Sequence, residues 1–191
     1  MEPERTGHSS EMARENHHSS IMETELETLY LVSQVLSRSL DFRQTLSEVL
    51  KTLNDIGNMR HGLISLLDET SGDLLVTALH ANPEPLNHIR YKPGEGVIGA
   101  ILESGEPLVL QRIADERRFL DRLGVYDMAL PFIGVPISIG EHTAGVLAAQ
   151  PLGGLNALGK HERFLMMVAN LIGQSVRLAQ KVEDEQLALK M

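Results

Sequence analysis

The sequence predicts an α+β sandwich, in which helices from the two ends of the chain cover one face of a mostly antiparallel sheet. Two observations predict this fold class. Apolar residues recur every three or four positions near both ends, which is the helical period, whereas the middle holds short apolar runs separated by turn residues. Runs joined by tight turns pair antiparallel, so short helices and loops are left to cover the second face.

The first elements are a polar segment and two helices. Residues 1–20 are polar, and we expect a disordered tail there. The helical spacing of apolar residues starts near Met22 and continues to Leu40. Asp41 is a typical N-cap residue, so a second helix is predicted from there to about Ile56.

The middle of the chain alternates strands with one short helix. Residues 97–102 place their apolar side chains on one helical face. Pro107 indicates that the strand beginning there lies at a sheet edge, because proline cannot donate to the ladder. Strands are predicted over residues 62–67, 74–79, 107–110, 133–139 and 143–149.

A long helix from Lys160 closes the chain and carries a heptad-like seam. It reaches Met191 without a stop signal, so we expect it to continue into a larger protein. We predict a homodimer through the terminal helices, although the same side chains could instead form the core of one domain. The predicted interface residues are Leu26, Leu29, Leu36, Leu171, Leu178 and Val182.

Composition excludes several function classes. The 191 residues contain no cysteine, which excludes disulfides, thiol nucleophiles and thiolate metal sites. The formal charge of −9 argues against nucleic-acid binding by this segment, since nucleic-acid-binding faces are basic. Neither a membrane-spanning run nor a secretory signal is present, and we expect a cytoplasmic protein.

Several motifs resemble GAF domains. The shared segments are Gly94-Glu95-Gly96-Val97-Ile98-Gly99, Gly105-Glu106-Pro107, Gly134-Val135-Pro136-Ile137 and Gly145-Val146-Leu147. A closer resemblance is to the GAF domains of bacterial nitrogen-fixation transcriptional activators, which are enhancer-binding proteins. The segments that carry it are 118–123, 126–127, 131–133, 145–151 and 168–172. The resemblance covers about residues 22–185.

This resemblance implies a regulatory role. Such activators join a GAF sensor to an AAA+ ATPase and a helix-turn-helix domain, and the GAF part controls the ATPase. Their signal is 2-oxoglutarate in some members and a regulatory protein in others. We therefore expect a GAF sensor over residues 21–185 and the start of a linker helix over 186–191. The sensor is expected to bind a small metabolite similar to 2-oxoglutarate and to control an attached ATPase and DNA-binding domain through its dimer helices. Metal-cluster relatives use cysteines, which this chain lacks, and GAF-like sulfoxide reductases also use cysteines, so we expect no enzyme activity.

The resemblance also implies a ligand pocket between the sheet and residues 95–135. Arginine suits a dicarboxylate because its planar fork matches a carboxylate. Arg112 directly follows a strand and Arg122 lies between two aromatic anchors, so these are the predicted ligand arginines. The alternative is that the arginines pair with nearby carboxylates on a wet surface. The other predicted ligand residues are Ser65, Ile98, Phe119, Tyr126, Ile133 and Val135.

Other hypotheses stay open. In a pure interaction domain, large residues such as Ile98, Phe119, Tyr126 and Phe132 would plug the pocket and a regulatory protein would be the partner. A metal or redox sensor would bring His80 and His88 together with Asp73 or Glu84, although we predict no metal ligands and no bound cofactor apart from an effector. Gly94-x-Gly96-x-x-Gly99 matches a dinucleotide fingerprint only superficially, because no strand precedes it.

Overall fold

The computed structural model of the protein describes residues 7–38, 41–82, 84 and 86–190. The four helices are α1 (Gly7–Arg38), α2 (Phe42–Asp55), α3 (Gly96–Ser104) and α4 (Leu158–Lys190). The six strands are β1 (Met59–Leu67), β2 (Leu74–Leu79), β3 (Arg90–Tyr91), β4 (Leu108–Leu110), β5 (Phe132–Ile139) and β6 (His142–Pro151). Leu40, the predicted end of the first helix, lies outside the described residues.

The strands form one antiparallel sheet in the order β3-β2-β1-β6-β5-β4. Strand β1 lies near the centre, as its apolar character on both faces predicts, and β4 is an edge strand, as Pro107 predicts. The two-residue strand β3 was not predicted, because so short a segment shows no alternation. The predicted α+β sandwich is confirmed.

Helices α2 and α4 cover one face of the sheet, and α1 packs against α2 and α4. Leu46, Val49, Leu50 and Leu53 of α2 are fully buried there, together with Phe164, Leu165 and Val168 of α4. Asp41 caps α2 as predicted, because its carboxylate accepts a hydrogen bond of 3.1 Å from the backbone N–H of Gln44. The burial of one helical stripe against the sheet explains the apolar spacing of both helices.

The opposite face is covered by α3 and by the irregular segment 112–131. Three positions around the start of α3 require glycine because of their backbone conformation or their close packing. Gly94 and Gly96 have φ values of +75° and +63°, and a Cβ atom on Gly99 would collide with the carbonyl oxygen of Lys92. These requirements account for the Gly-x-Gly-x-x-Gly pattern without a dinucleotide.

Helix α1 is longer than the apolar spacing predicts, whereas α4 begins within two residues of its predicted start at Lys160. Helix α1 begins at Gly7 rather than near Met22, so the described part of the predicted tail is helical. Polar residues without a proline extend a helix readily once its later turns are anchored by packing. In α4, Val176 is the last buried residue. No helix within the described ranges is long and apolar enough to cross a membrane.

Candidate functional site

A cavity lies between the sheet, α3 and the irregular segment, where the ligand pocket was predicted, and it is almost completely filled. Its volume is about 10 Å³. Its walls are formed by Leu63, Tyr91, Val97, Ile98, Phe119, Leu120, Tyr126 and Phe132. A single water molecule needs about 10–15 Å³, so this cavity has no room for a metabolite in the conformation described.

Three aromatic rings fill the space. Phe119, Tyr126 and Phe132 pack edge to face, and each ring contacts the other two, with centroid distances of 5.1–5.5 Å. Edge-to-face pairs at such distances are favourable by about 0.5–1.5 kcal/mol beyond the burial of their surface. The rings therefore form a stable plug rather than a loose collection of side chains.

Two polar atoms of this layer are buried without a hydrogen-bond partner. They are the hydroxyl of Tyr126 and the hydroxyl of Ser65 on β1. Burial raises the pKa of the Tyr126 phenol well above its ordinary value, so the group is neutral at physiological pH. An unsatisfied buried hydroxyl costs about 1–3 kcal/mol, and both groups would gain from a polar partner.

The irregular segment is fastened to the sheet by a buried glutamine. The side chain of Gln150, at the end of β6, donates to the carbonyl oxygens of Asp127 and Pro131, at 2.9 Å and 3.2 Å. It also accepts a hydrogen bond of 3.0 Å from the N–H of Asp127. Gln150 is fully buried. Its side-chain amide makes the hydrogen bonds to the irregular segment that a neighbouring strand would otherwise make.

Two of the arginines in the segment pair locally at the surface. Arg112 binds Asp115 through two hydrogen bonds of 2.6 Å and 3.0 Å, and both side chains are exposed. Arg118 likewise binds Glu116, and its hydrogen bonds lower the pKa of that carboxyl to about 2. Neither Arg112 nor Arg118 lines the cavity. Both pair with nearby carboxylates at the surface, which is the alternative to ligand binding that the sequence left open.

Arg122 lies closer to the cavity than the other two. Its guanidinium binds the carboxylate of Glu95 and the carbonyl oxygen of Arg90, and it lies 4.9 Å from the ring centroid of Tyr91. Since Tyr91 is one wall of the cavity, Arg122 is at the rim and not inside. Its hydrogen bonds lower the pKa of Glu95, so the pair is ionised at neutral pH.

The structure separates the predicted pocket residues into two groups. Ile98, Phe119 and Tyr126 line the cavity, and Ser65 is buried in the same layer. Ile133 and Val135 were wrongly assigned, because they pack in the helix-side core. Successive strand residues point to opposite faces, so their neighbours Phe132 and Gly134 face the cavity side instead.

Four further wall residues were not predicted. Leu63 and Tyr91 belong to strands, Val97 to α3 and Leu120 to the irregular segment. Leu63 lies two residues before Ser65 in the same strand, so the two side chains point to the same face. This spacing could have identified Leu63. Tyr91 offered no such signal, because β3 is too short to show a pattern.

The alternative of a histidine metal site has no support in the described ranges, which contain no group of three His, Asp or Glu side chains able to hold a metal ion. Asp73 instead lies 3.9 Å from the guanidinium of Arg90. His61 has a positive φ of +52° and contacts the ring of Tyr126 edge-on. Its role is therefore in packing around the plug.

The GAF domain family matches residues 41–176. This chain is a member of the GAF domain family. The structural similarity agrees, since the A. aeolicus nlh2 GAF domain in an inactive state superposes with a TM-score of 0.74 and 21% identity, covering 83% of this chain and 98% of that one.

Sequence relatives of this GAF domain are regulators. The Nif-specific regulatory protein of Enterobacter agglomerans is 42% identical over 85% of this chain and 33% of its own length. That of Klebsiella oxytoca is 46% identical over 77% of this chain and 29% of its own length. The GAF domain thus spans a third or less of these curated relatives, and the resemblance to nitrogen-fixation activators is confirmed.

The predicted interface residues of the GAF domain differ in exposure. Leu178, Val182 and Leu26 are 65%, 53% and 61% exposed. Leu29, Leu36 and Leu171 are half-buried and pack against the helix-side core. The seam is therefore divided: its inner residues hold the helices to the domain, and its outer residues are free to meet another surface.

Proposed function

We propose that this chain is the regulatory GAF domain of a nitrogen-fixation activator and that it acts through protein contacts while its interior cavity stays filled. The observation that carries the proposal is the cavity of about 10 Å³ beneath the plug of three rings. Small-molecule sites usually offer about 300–1,000 Å³. In this proposal the domain controls an attached AAA+ ATPase and DNA-binding domain, as the resemblance implies.

The contacts would be made by the terminal helices. Beyond Val176, α4 has no buried residue up to Lys190. Leu178 and Val182 on this part, and Leu26 on α1, are exposed apolar side chains. Burying a leucine contributes about 1.5–3 kcal/mol, so a few such contacts support a homodimer through these helices. A partner that favours one arrangement of the helix pair would shift the output.

A metabolite sensor is the second candidate, and the unpartnered hydroxyls of Ser65 and Tyr126 favour it. A dicarboxylate such as 2-oxoglutarate would offer acceptors to both hydroxyls and to Arg122 at the rim. Entry would require the irregular segment to move and the three hydrogen bonds of Gln150 to break. The ligand would therefore have to offset that opening through its greater affinity for the open state.

Calorimetric titration of the chain with 2-oxoglutarate separates the two candidates. The filled cavity predicts no saturable heat. Binding that is lost in Arg122→Ala and retained in Arg112→Ala would instead support the metabolite sensor, with Arg112 as the matched control because its guanidinium pairs at the surface. Circular dichroism of each variant would establish that it is folded.

The regulatory role itself can be tested in a chimera. This chain would replace the aligned segment of the Klebsiella oxytoca relative, and a reporter driven by a nif promoter would be measured with and without fixed nitrogen. We expect the reporter to remain responsive. A chimera that behaves like a deletion of the segment, despite normal expression, would contradict a regulatory function for this domain.

A further inference from the structure

A second cavity, which we call the base groove, opens at the end of the sheet where α4 leaves the body of the domain. Its volume is about 660 Å³, against about 10 Å³ for the filled cavity. It is bounded by the turns that follow β1 and β5, by the end of α3 and by α4 near Val176.

The floor of the base groove is aliphatic and only half-covered. It is formed by Leu66, Leu67, Leu102 and Ile139. These residues sit at the margins of the two buried cores, and each remains partly exposed. Removing apolar surface from water is favourable by about 25 cal/mol per Å², so the floor would gain from an apolar occupant.

The rim of the base groove is acidic. Glu69, Glu103 and Glu141 come from three different elements and are all exposed. Within the described residues none of the three forms an ion pair, and no lysine or arginine lines the groove. The carboxylate of Glu103 lies beside Gly94, which is not one of the lining residues, so Glu69 and Glu141 carry the negative charge of the rim.

We propose that the base groove docks an amphipathic segment of a partner protein, with aliphatic side chains on the floor and lysine or arginine side chains against the rim glutamates. The charge complementarity selects a basic partner, and the volume suits several side chains. Since Val176 is the last buried residue of α4, an occupant would contact the helix where it leaves the domain. The inference rests on the proposed role as an interaction domain and names the surface and chemistry of its partner.

The test exploits the absence of cysteine. Thr70→Cys, at an exposed position next to the lining residue Glu69, takes a single environment-sensitive fluorophore without side reactions. The probe is a synthetic helical peptide of leucine and lysine, and a leucine–glutamate peptide of equal length is its control. We expect a saturable blue shift with the lysine peptide and none with the glutamate peptide.

Matched charge variants decide whether the groove is responsible. Glu69→Lys with Glu141→Lys should weaken lysine-peptide binding by roughly tenfold or more, because like charges then face each other. Glu23→Lys with Glu27→Lys makes the same change of net charge on exposed positions of α1 and should alter binding less than about twofold. Equal weakening in both pairs, or no fluorescence response, would overturn the proposal.

Two further outcomes are informative. A blue shift that grows with protein concentration alone would show that a second copy of this chain occupies the groove, and it would overturn the partner assignment. Loss of peptide binding in the groove variants should accompany loss of regulation in the chimera. If the chimera regulates normally with both groove glutamates reversed, the groove proposal fails while the proposed function of the domain survives.

Discussion

The carboxylate of Glu25 on α1 lies 3.7 Å from Nδ1 of His161 on α4, and both atoms are buried without a hydrogen-bond partner among the described residues. Burial raises the pKa of Glu25, and the charges of Lys160 and Arg163 offset this rise only in part. Burial also lowers the pKa of His161, with a smaller contribution from Lys160. The contact between α1 and α4 therefore carries an electrostatic cost.

Replacing this carboxylate should stabilise the domain at neutral and higher pH. A carboxyl whose pKa is raised by folding stabilises the folded state below its unfolded pKa, and this contribution is lost as pH rises through the folded value. Glu25→Gln removes the buried charge, so its advantage over the wild type should grow between pH 4.5 and pH 8. Urea unfolding of the variant and the wild type at pH 4.5 and at pH 8 measures this difference in the free energy of unfolding. An advantage that is equal at the two pH values would contradict the burial explanation.

The pKa of His161 is shifted in the opposite direction from that of Glu25, so its contribution to stability changes with pH in the opposite direction. Because burial lowers its pKa, its contribution to stability is present above the ordinary value of 6.5 and is lost as pH falls through the folded value. His161→Gln should therefore reduce the fall in stability on the acid side of neutrality. If stability falls equally with decreasing pH in the wild type and in the variant, groups other than His161 cause that fall.

Removing the hydroxyl of Tyr126 should stabilise the closed domain. Tyr126→Phe keeps the three packed rings and deletes a buried group that has no partner, which is expected to add about 1 kcal/mol to the free energy of unfolding. Chemical denaturation provides the value, and Tyr30→Phe on the exposed face of α1 is the control. Destabilisation by Tyr126→Phe would mean that the hydroxyl has a polar partner in solution.

Gln150 should determine how firmly the irregular segment is held. Gln150→Leu preserves a similar volume but leaves the N–H of Asp127 and the carbonyl of Pro131 without the partner that Gln150 provides. The carbonyl of Asp127 keeps the hydrogen bond from the N–H of Leu130. We expect a loss of about 2–4 kcal/mol and faster hydrogen exchange at Asp127. Gln174→Leu, at an exposed position of α4, should change neither quantity. Unaltered exchange in Gln150→Leu would remove the glutamine from this role.

The proposed dimer depends on the outer part of the seam. Leu178→Glu places a charge at a position that is 65% exposed in the single chain, so the fold should survive while the dimer dissociates. Light scattering is expected to report a monomer for Leu178→Glu and a dimer for Ala179→Glu, one residue away from the seam. A dimer mass in both variants would exclude Leu178 from the interface.

The sequence by itself determined the elements whose signals are local. The residues of β2 were predicted at their observed limits, and the Asp41 cap was predicted because its side chain bonds only three residues ahead. The Gly-Glu-Gly and Gly-Val-Leu motifs resemble one family strongly enough to predict the fold before any coordinates. Each signal depends on neighbours in the chain, which the sequence states directly.

Only the tertiary structure decided which side chains meet. Ile133 and Phe132 are adjacent and both apolar, and the pleat alone assigns one to the helices and the other to the plug. The sequence favoured Arg112 over Arg122 as the ligand arginine, yet Arg112 pairs within its own turn and Arg122 reaches Glu95 across 27 positions. Whether a pocket is open or filled depends on the summed volume of side chains from distant segments, because interiors pack to near-crystalline density.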